Sequence, residues 1–113
     1  MTRRAQNTAR QIMDRATSED ELLIAITEAL TLYSWRWTHA RRSDRALMMG
    51  HSGVPDIIAL RAGRVKFIEL KKEGEQPTAE QWAWLDACLP FNPNVTAHVW
   101  RPSDLTAALR ELT

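Results

Sequence analysis

The apolar residues of this chain fall into two kinds of spacing. Leu22, Leu23, Ile26, Ala29, Leu30 and Tyr33 recur three or four residues apart, the period of one helix face. Ser18 stands just before them with Glu21 three residues on, so the spacing predicts a helix capped by Ser18 through a capping box. From Trp35 to His39 the period drops to two, with Trp35, Trp37 and His39 on one face of a short strand and Arg36 and Thr38 on the other. Arg41 to Ser52 has no clear period and reads as a long loop. Val54 to Leu60 and Val65 to Leu70 are β-branched and apolar, and Ala62-Gly63 between them suits a two-residue hairpin turn. Thr78 with Gln81 three residues on starts a second helix, whose buried stripe is expected to be Trp82, Leu85 and Leu89. Pro90 to Asn94 stops it, and Val95 to Trp100 alternates as a fourth strand. Ser103 is the expected N-cap of a last helix with Leu105, Ala108, Leu109 and Leu112 inward. The order is α-β-β-β-α-β-α, which predicts an α/β fold with a mixed central sheet flanked by helices. The helical crossover should make the strands of Glu69 and Val95 parallel.

The hairpin fixes a register by subtraction. If Ala62 and Gly63 form the loop, Arg61 pairs with Arg64, Leu60 with Val65 and Ile57 with Ile68, and Asp56 falls opposite Glu69. Directly opposed side chains share a face with Cβ atoms about 4.5–5.5 Å apart, so two like charges there repel. Lys71, two residues past Glu69, points to the same face. Two carboxylates and an ammonium then converge, the layout of a hard divalent-cation site with an adjacent positive charge. An ordinary structural ion pair on a solvated face would use the same residues. Pro55 is expected to start the strand just before Asp56.

Pro55-Asp56 followed by Glu69-Leu70-Lys71 resembles the PD-(D/E)xK signature of restriction-endonuclease-like nucleases. More narrowly, Gly53-Val54-Pro55-Asp56, the hairpin, Glu69-Leu70-Lys71 and Thr78-Ala79-Glu80-Gln81 are similar to the VRR-NUC family, including its small stand-alone members of phage type. The resemblance runs from about Ser18 to the end of the chain. It implies a restriction-endonuclease-like core and a metal-dependent endonuclease of DNA, selective for branched substrates such as four-way (Holliday) junctions and acting as a homodimer. Asp56 and Glu69 would be ligands of Mg²⁺ or Mn²⁺, with the Leu70 carbonyl a third, and Lys71 would orient the attacking water or stabilise developing charge. The resemblance also places a glutamate at the head of the first helix towards the metal. Glu19 fits that pattern and Glu21 is the second choice, while dipole complementation explains either. Gln81 would contribute to the site, a role that competes with its capping of the second helix. A non-enzymatic DNA-binding or assembly module on the same fold is the alternative.

Composition changes this picture only in places. The 113 residues, 44% of them apolar, suffice for one domain, expected over residues 17–113 behind a basic N-terminal arm, residues 1–16. Fifteen basic and fourteen acidic residues leave almost no net charge, but twelve of the basic residues are arginine, the side chain that grips phosphate bidentately. Arg36, Arg41, Arg42 and Arg45 crowd one region, and with His39 and Lys72 they are the candidate DNA-binding residues. The single cysteine, Cys88, excludes an internal disulfide and reads as a buried thiol. No segment has the apolar length of a membrane span or the core of a secretory signal, so a cytoplasmic location is expected.

Overall fold

A computed structural model describes residues 18–40 and 49–113. The basic arm and Arg41, Arg42 and Arg45 lie outside the described residues. Helix α1 spans Glu19–Leu32, strand β1 Arg36–His39, β2 Ile57–Arg61, β3 Arg64–Leu70, helix α2 Ala79–Ala87, strand β4 Val95–Trp100 and helix α3 Leu105–Leu112, with 3-10 turns at Leu89–Phe91 and Pro102–Asp104. The sheet order is β1-β2-β3-β4. β1 and β3 run antiparallel to β2, and β4 runs parallel to β3 as the crossover requires.

The hairpin register agrees with the sequence reading: Arg61 faces Arg64, Leu60 faces Val65 and Ile57 faces Ile68. Ala62 and Gly63 have φ of 49° and 75°. Both therefore sit in the left-handed region, the signature of the tight turn whose twist matches the strands. One boundary differs from expectation. β2 begins at Ile57 rather than before Asp56, because the Leu70 N–H is taken by the Asp56 side chain instead of by a backbone carbonyl.

Helices α1 and α3 cover one sheet face. Leu22, Ile26, Ala29 and Leu30 of α1 and Ala108 and Leu112 of α3 close on Ile57, Ala59, Ile68, Leu70 and Trp100. Trp35 joins this core and donates from Nε1 to the Leu112 carbonyl at 2.9 Å. Trp37, on the edge strand, stays partly exposed and donates instead to Thr31 Oγ1. Arg61 lies with its guanidinium 4.4 Å from the Trp35 ring centre. Its Nη1 donates to the Tyr33 and Leu112 carbonyls at 2.9 and 3.1 Å, and its Nη2 reaches the Thr113 oxygen at 3.3 Å.

Two helix details depart from the sequence reading. The α2 stripe is Gln81, Leu85 and Cys88, whereas Trp82 is 41% and Leu89 63% exposed. The helix is rotated so that a polar residue with a buried partner displaces an apolar one. Burial pushes the Cys88 thiol above its ordinary pKa, consistent with an inert side chain. Ser103 is not the cap of α3: Pro102 opens a 3-10 turn, and Asp104 reaches back to the Arg101 N–H at 2.9 Å. The Ser103 N–H donates to Glu73 Oε1 at 2.6 Å, and its hydrogen bonds hold the Glu73 carboxyl below the usual carboxylate range.

On the core face, Lys66 is buried, with Nζ 3.3 Å from Thr96 Oγ1, 3.2 Å from His98 Nε2 and 3.3 Å from Glu111 Oε2. Burial, and then the Lys66 charge, bring the His98 pKa from 6.5 down to about 4, with Glu111 opposing in part. The unfolded chain therefore takes up a proton between these values that the folded chain refuses. Stability should be complete above about pH 6.5 and fall as the pH drops towards 4, at a slope of up to about 1.4 kcal/mol per pH unit. Denaturant titrations at stepped pH should show that slope in wild type and lose that share of it in His98→Asn.

Candidate active site

The far end of the hairpin from its turn gathers the charges. Pro55 is buried and delivers Asp56 at the foot of β2. Asp56 is fixed twice: its carbonyl accepts the Ala40 N–H at 2.9 Å, and its Oδ2 accepts the Leu70 N–H at 2.8 Å. The carboxylate is thus tied to β3 next to Glu69. Because Ile68 and Leu70 point into the α1–α3 core, the period of two turns Glu69 to the other face, under α2. Glu69 is fully buried there and Lys71, on the same face, is 3% exposed. The Lys71 N–H pairs with the Trp100 carbonyl at 3.0 Å, so the backbone at Lys71 is held by β4.

Gln81 resolves the competition between capping and site. Its Oε1 accepts the Thr78 N–H at 2.9 Å and Thr78 Oγ1 accepts the Gln81 N–H at 3.2 Å, a complete capping box. Its Nε2 meanwhile donates to Glu69 Oε1 at 3.2 Å. Only one orientation of the amide serves both partners, since a backbone donor needs the oxygen and a carboxylate needs the NH₂. Capping therefore aims the amide at Glu69.

The head of α1 forms the other wall. Ser18 Oγ accepts the Glu21 N–H at 3.1 Å. That cap leaves Glu21 exposed and turns Glu19 and Asp20 into a cleft of about 190 Å³, shared with Leu23, His39, Asp56 and Leu70. Of the two glutamates considered, it is Glu19 that lines the cleft. Asp20 lines it too, which sequence reasoning missed: three consecutive acids differ only in helix phase, and the cleft is wide enough to take two of them. Arg36 is exposed on β1, on the opposite strand face from His39, and Lys72 is exposed just beyond Lys71.

Gly53 is the second residue that sequence reasoning left without a role of its own. Its φ is +86°, and a Cβ there would stand 2.6 Å from the Glu80 carbonyl carbon and 2.8 Å from the Gln81 nitrogen. The segment before Asp56 thus packs directly on the first turn of α2. The signal for it in the sequence is the glycine two residues before Pro55, but its cause is a contact distant in sequence.

The donors here are of one chemical kind: the Asp56 and Glu69 carboxylates, the Leu70 carbonyl, and the Glu19 carboxylate across the cleft. Such hard oxygens suit Mg²⁺ or Mn²⁺. Among the described residues no three His, Cys, Asp or Glu side chains are grouped to hold an ion by themselves. A backbone carbonyl and water in the remaining positions fit the habit of Mg²⁺, which takes one or two carboxylates and keeps its waters.

Among the described residues, a four-stranded mixed sheet with two helices on one face, a third on the other, and acidic residues and a lysine at one end of its hairpin has the restriction-endonuclease-like architecture. Among solved structures, a VRR_NUC domain superposes on 81% of this chain and 94% of its own length, with a TM-score of 0.61 at 19% sequence identity. The chain has the VRR_NUC fold. No family model matches the sequence, and no curated protein does. No helix among the described residues is long and apolar enough to cross a membrane.

Proposed function

We propose that the protein is a divalent-metal-dependent endonuclease that hydrolyses DNA phosphodiester bonds, selects branched DNA and works as a homodimer. The observation that carries this reading is the joint fixing of Asp56 by the Leu70 N–H and of Glu69 by Gln81, on the face that Lys71 shares. The VRR_NUC fold supports it.

A bound Mg²⁺ or Mn²⁺ supplies Lewis acidity towards a phosphoryl oxygen and a lower pKa for water. Asp56, Glu69 and the Leu70 carbonyl would hold it, with Glu19 contributing from the opposite wall. Gln81 keeps one Glu69 oxygen in place, so the carboxylate needs no reorganisation when the cation arrives. Lys71 orients the attacking water and stabilises charge developing on the phosphate, as a preorganised cation in a dry site does well. His39 in the cleft, with Lys72 on the surface, would contact the backbone phosphates, and Arg41, Arg42 and Arg45 would add to that contact; Arg36, paired with Leu60 towards the turn end of the hairpin and on the other strand face, is not part of it. Symmetric cutting of two strands calls for two such sites related by a two-fold axis, which supports the homodimer.

The test is cleavage of a labelled four-way junction beside linear duplex and flap substrates, with Mg²⁺, with Mn²⁺ and with chelator. Paired symmetric nicks on the junction, lost in chelator, are the expected result. Cutting confined to flaps or duplex would reassign the substrate. Binding without any cutting would replace the enzyme with the non-enzymatic module.

A further inference from the structure

A second cavity, of about 390 Å³, lies on a different side of α2 from Glu69. It is lined by His51, Ser52, Glu80, Ala83, Trp84 and Ala87. On the helix these α2 positions form a stripe about a quarter-turn or more round from Gln81, Leu85 and Cys88. Trp84 is half-buried, and its Nε1 donates to the Ser52 carbonyl at 3.0 Å, which fixes the plane of the indole. Ala83 and Ala87 are too small to fill the space beside it.

We infer that this cavity is a slot for one unpaired base of the nucleic-acid substrate, stacked on Trp84. The volume admits a base, and an indole held at its edge is a preorganised stacking platform. The electrostatics disfavour a phosphate as occupant: among the described residues no Lys or Arg lines the slot, and the Glu80 carboxylate does. A carboxylate instead accepts from the exocyclic amino group of cytosine or adenine, and His51 adds a second polar group at the rim. The slot is also coupled to the proposed active site. Ser52 adjoins Gly53, Gly53 packs on Glu80 and Gln81, and Gln81 donates to Glu69. A base seated on Trp84 would therefore lie against the same helical turn that orients Glu69. Paired bases are held inside the duplex, whereas a fork or flap offers unpaired ones and a four-way junction does so where a pair opens at the branch, so the slot would give the nuclease a means of sensing branches that expose a base. The identity of the substrate rests on the nuclease reading; the binding of a base does not require cleavage.

The experiment is a double-mutant cycle on binding. Fluorescence anisotropy in chelator would compare a forked DNA carrying unpaired nucleotides with forks made abasic at single positions beside the branch, for wild type, Ala83→Leu and Trp84→Leu. Ala83 is exposed and leucine is a good helix former, so Ala83→Leu fills the slot without removing a contact. Wild type should lose about ten-fold in affinity when one particular base is missing, the scale of a base–aromatic stack. Ala83→Leu should show that loss on the intact fork and no further loss on the abasic one, and Trp84→Leu should follow it. An unchanged intact-to-abasic ratio in Ala83→Leu overturns the slot. The two readings fail separately: cutting by wild type without this coupling removes the slot and keeps the nuclease, whereas coupling without cutting keeps the slot and removes the nuclease.

Discussion

Replacing Lys71 with methionine should reduce DNA cleavage by at least about 10²- to 10³-fold while leaving a folded protein that still binds DNA. Methionine keeps most of the volume and the unbranched shape of lysine, so it fills the space of a side chain that is almost wholly buried. The backbone bond from the Lys71 N–H to the Trp100 carbonyl is untouched. What disappears is one positive charge on the face of Glu69, and a charge placed where water is scarce stabilises a phosphoryl transition state far more than one in bulk solvent. Single-turnover cleavage of the junction, beside circular dichroism and junction binding in chelator, separates the outcomes. Retained cleavage at wild-type rate would remove Lys71 from the mechanism. Loss of binding together with cleavage would make its role one of substrate affinity.

Gly53→Ala should be at least as damaging, by a different route. The added methyl carbon would stand 2.6 to 2.8 Å from backbone and Cβ atoms of Glu80 and Gln81, and at φ +86° an L-residue is strained before any clash is counted. The obstacle is mostly backbone, so it cannot be relieved by a side-chain rotation. Either the segment before Pro55 or the first turn of α2 must move. A cost of about 2–4 kcal/mol in stability is expected from strain and overpacking together. Cleavage should fall even at temperatures where the variant is fully folded, because Gln81 leaves Glu69 when α2 shifts. Denaturant unfolding and cleavage at low temperature check the two parts. A variant as stable as wild type with full activity would mean that this contact does not position the site.

The two effects mark how far the sequence could be read. Ile57 opposite Ile68, with Asp56 just before the one and Glu69 and Lys71 following the other, was legible because a two-residue turn and a period of two leave no freedom once Gly63 is placed. The parallel pairing of β3 with β4 was legible for a similar reason, since the handedness and length of a crossover constrain it. Gln81 was harder. Capping and site contact looked like competing uses of one residue, yet an amide has two chemically different ends and both are satisfied at once. The stripe of α2 was misread because Trp82 and Leu89 are apolar and Gln81 is not. Burial at that position follows from a partner, Glu69, that helical periodicity does not contain. Ser103 does not cap the last helix because Pro102 sets a 3-10 turn that moves the helix start to Leu105, and the Asp104 carboxylate turns back to the Arg101 N–H instead of capping that helix. Gly53 and Asp20 depend on which surfaces meet, and no local pattern encodes that.

Arg61 bears on how the protein loosens. Its donors serve the carbonyl at the end of α1 and the carbonyls at the end of α3, and its plane covers Trp35, which itself donates to Leu112. Helix ends ordinarily fray one by one, each exchanging its last carbonyls with water. Here the two frayed states are linked: peeling either helix away withdraws the guanidinium from its stack and weakens its hold on the other. The turn end of the hairpin should therefore open as a single cooperative unit. Breathing motions of lower energy would then fall to the opposite end, where the proposed active site lies.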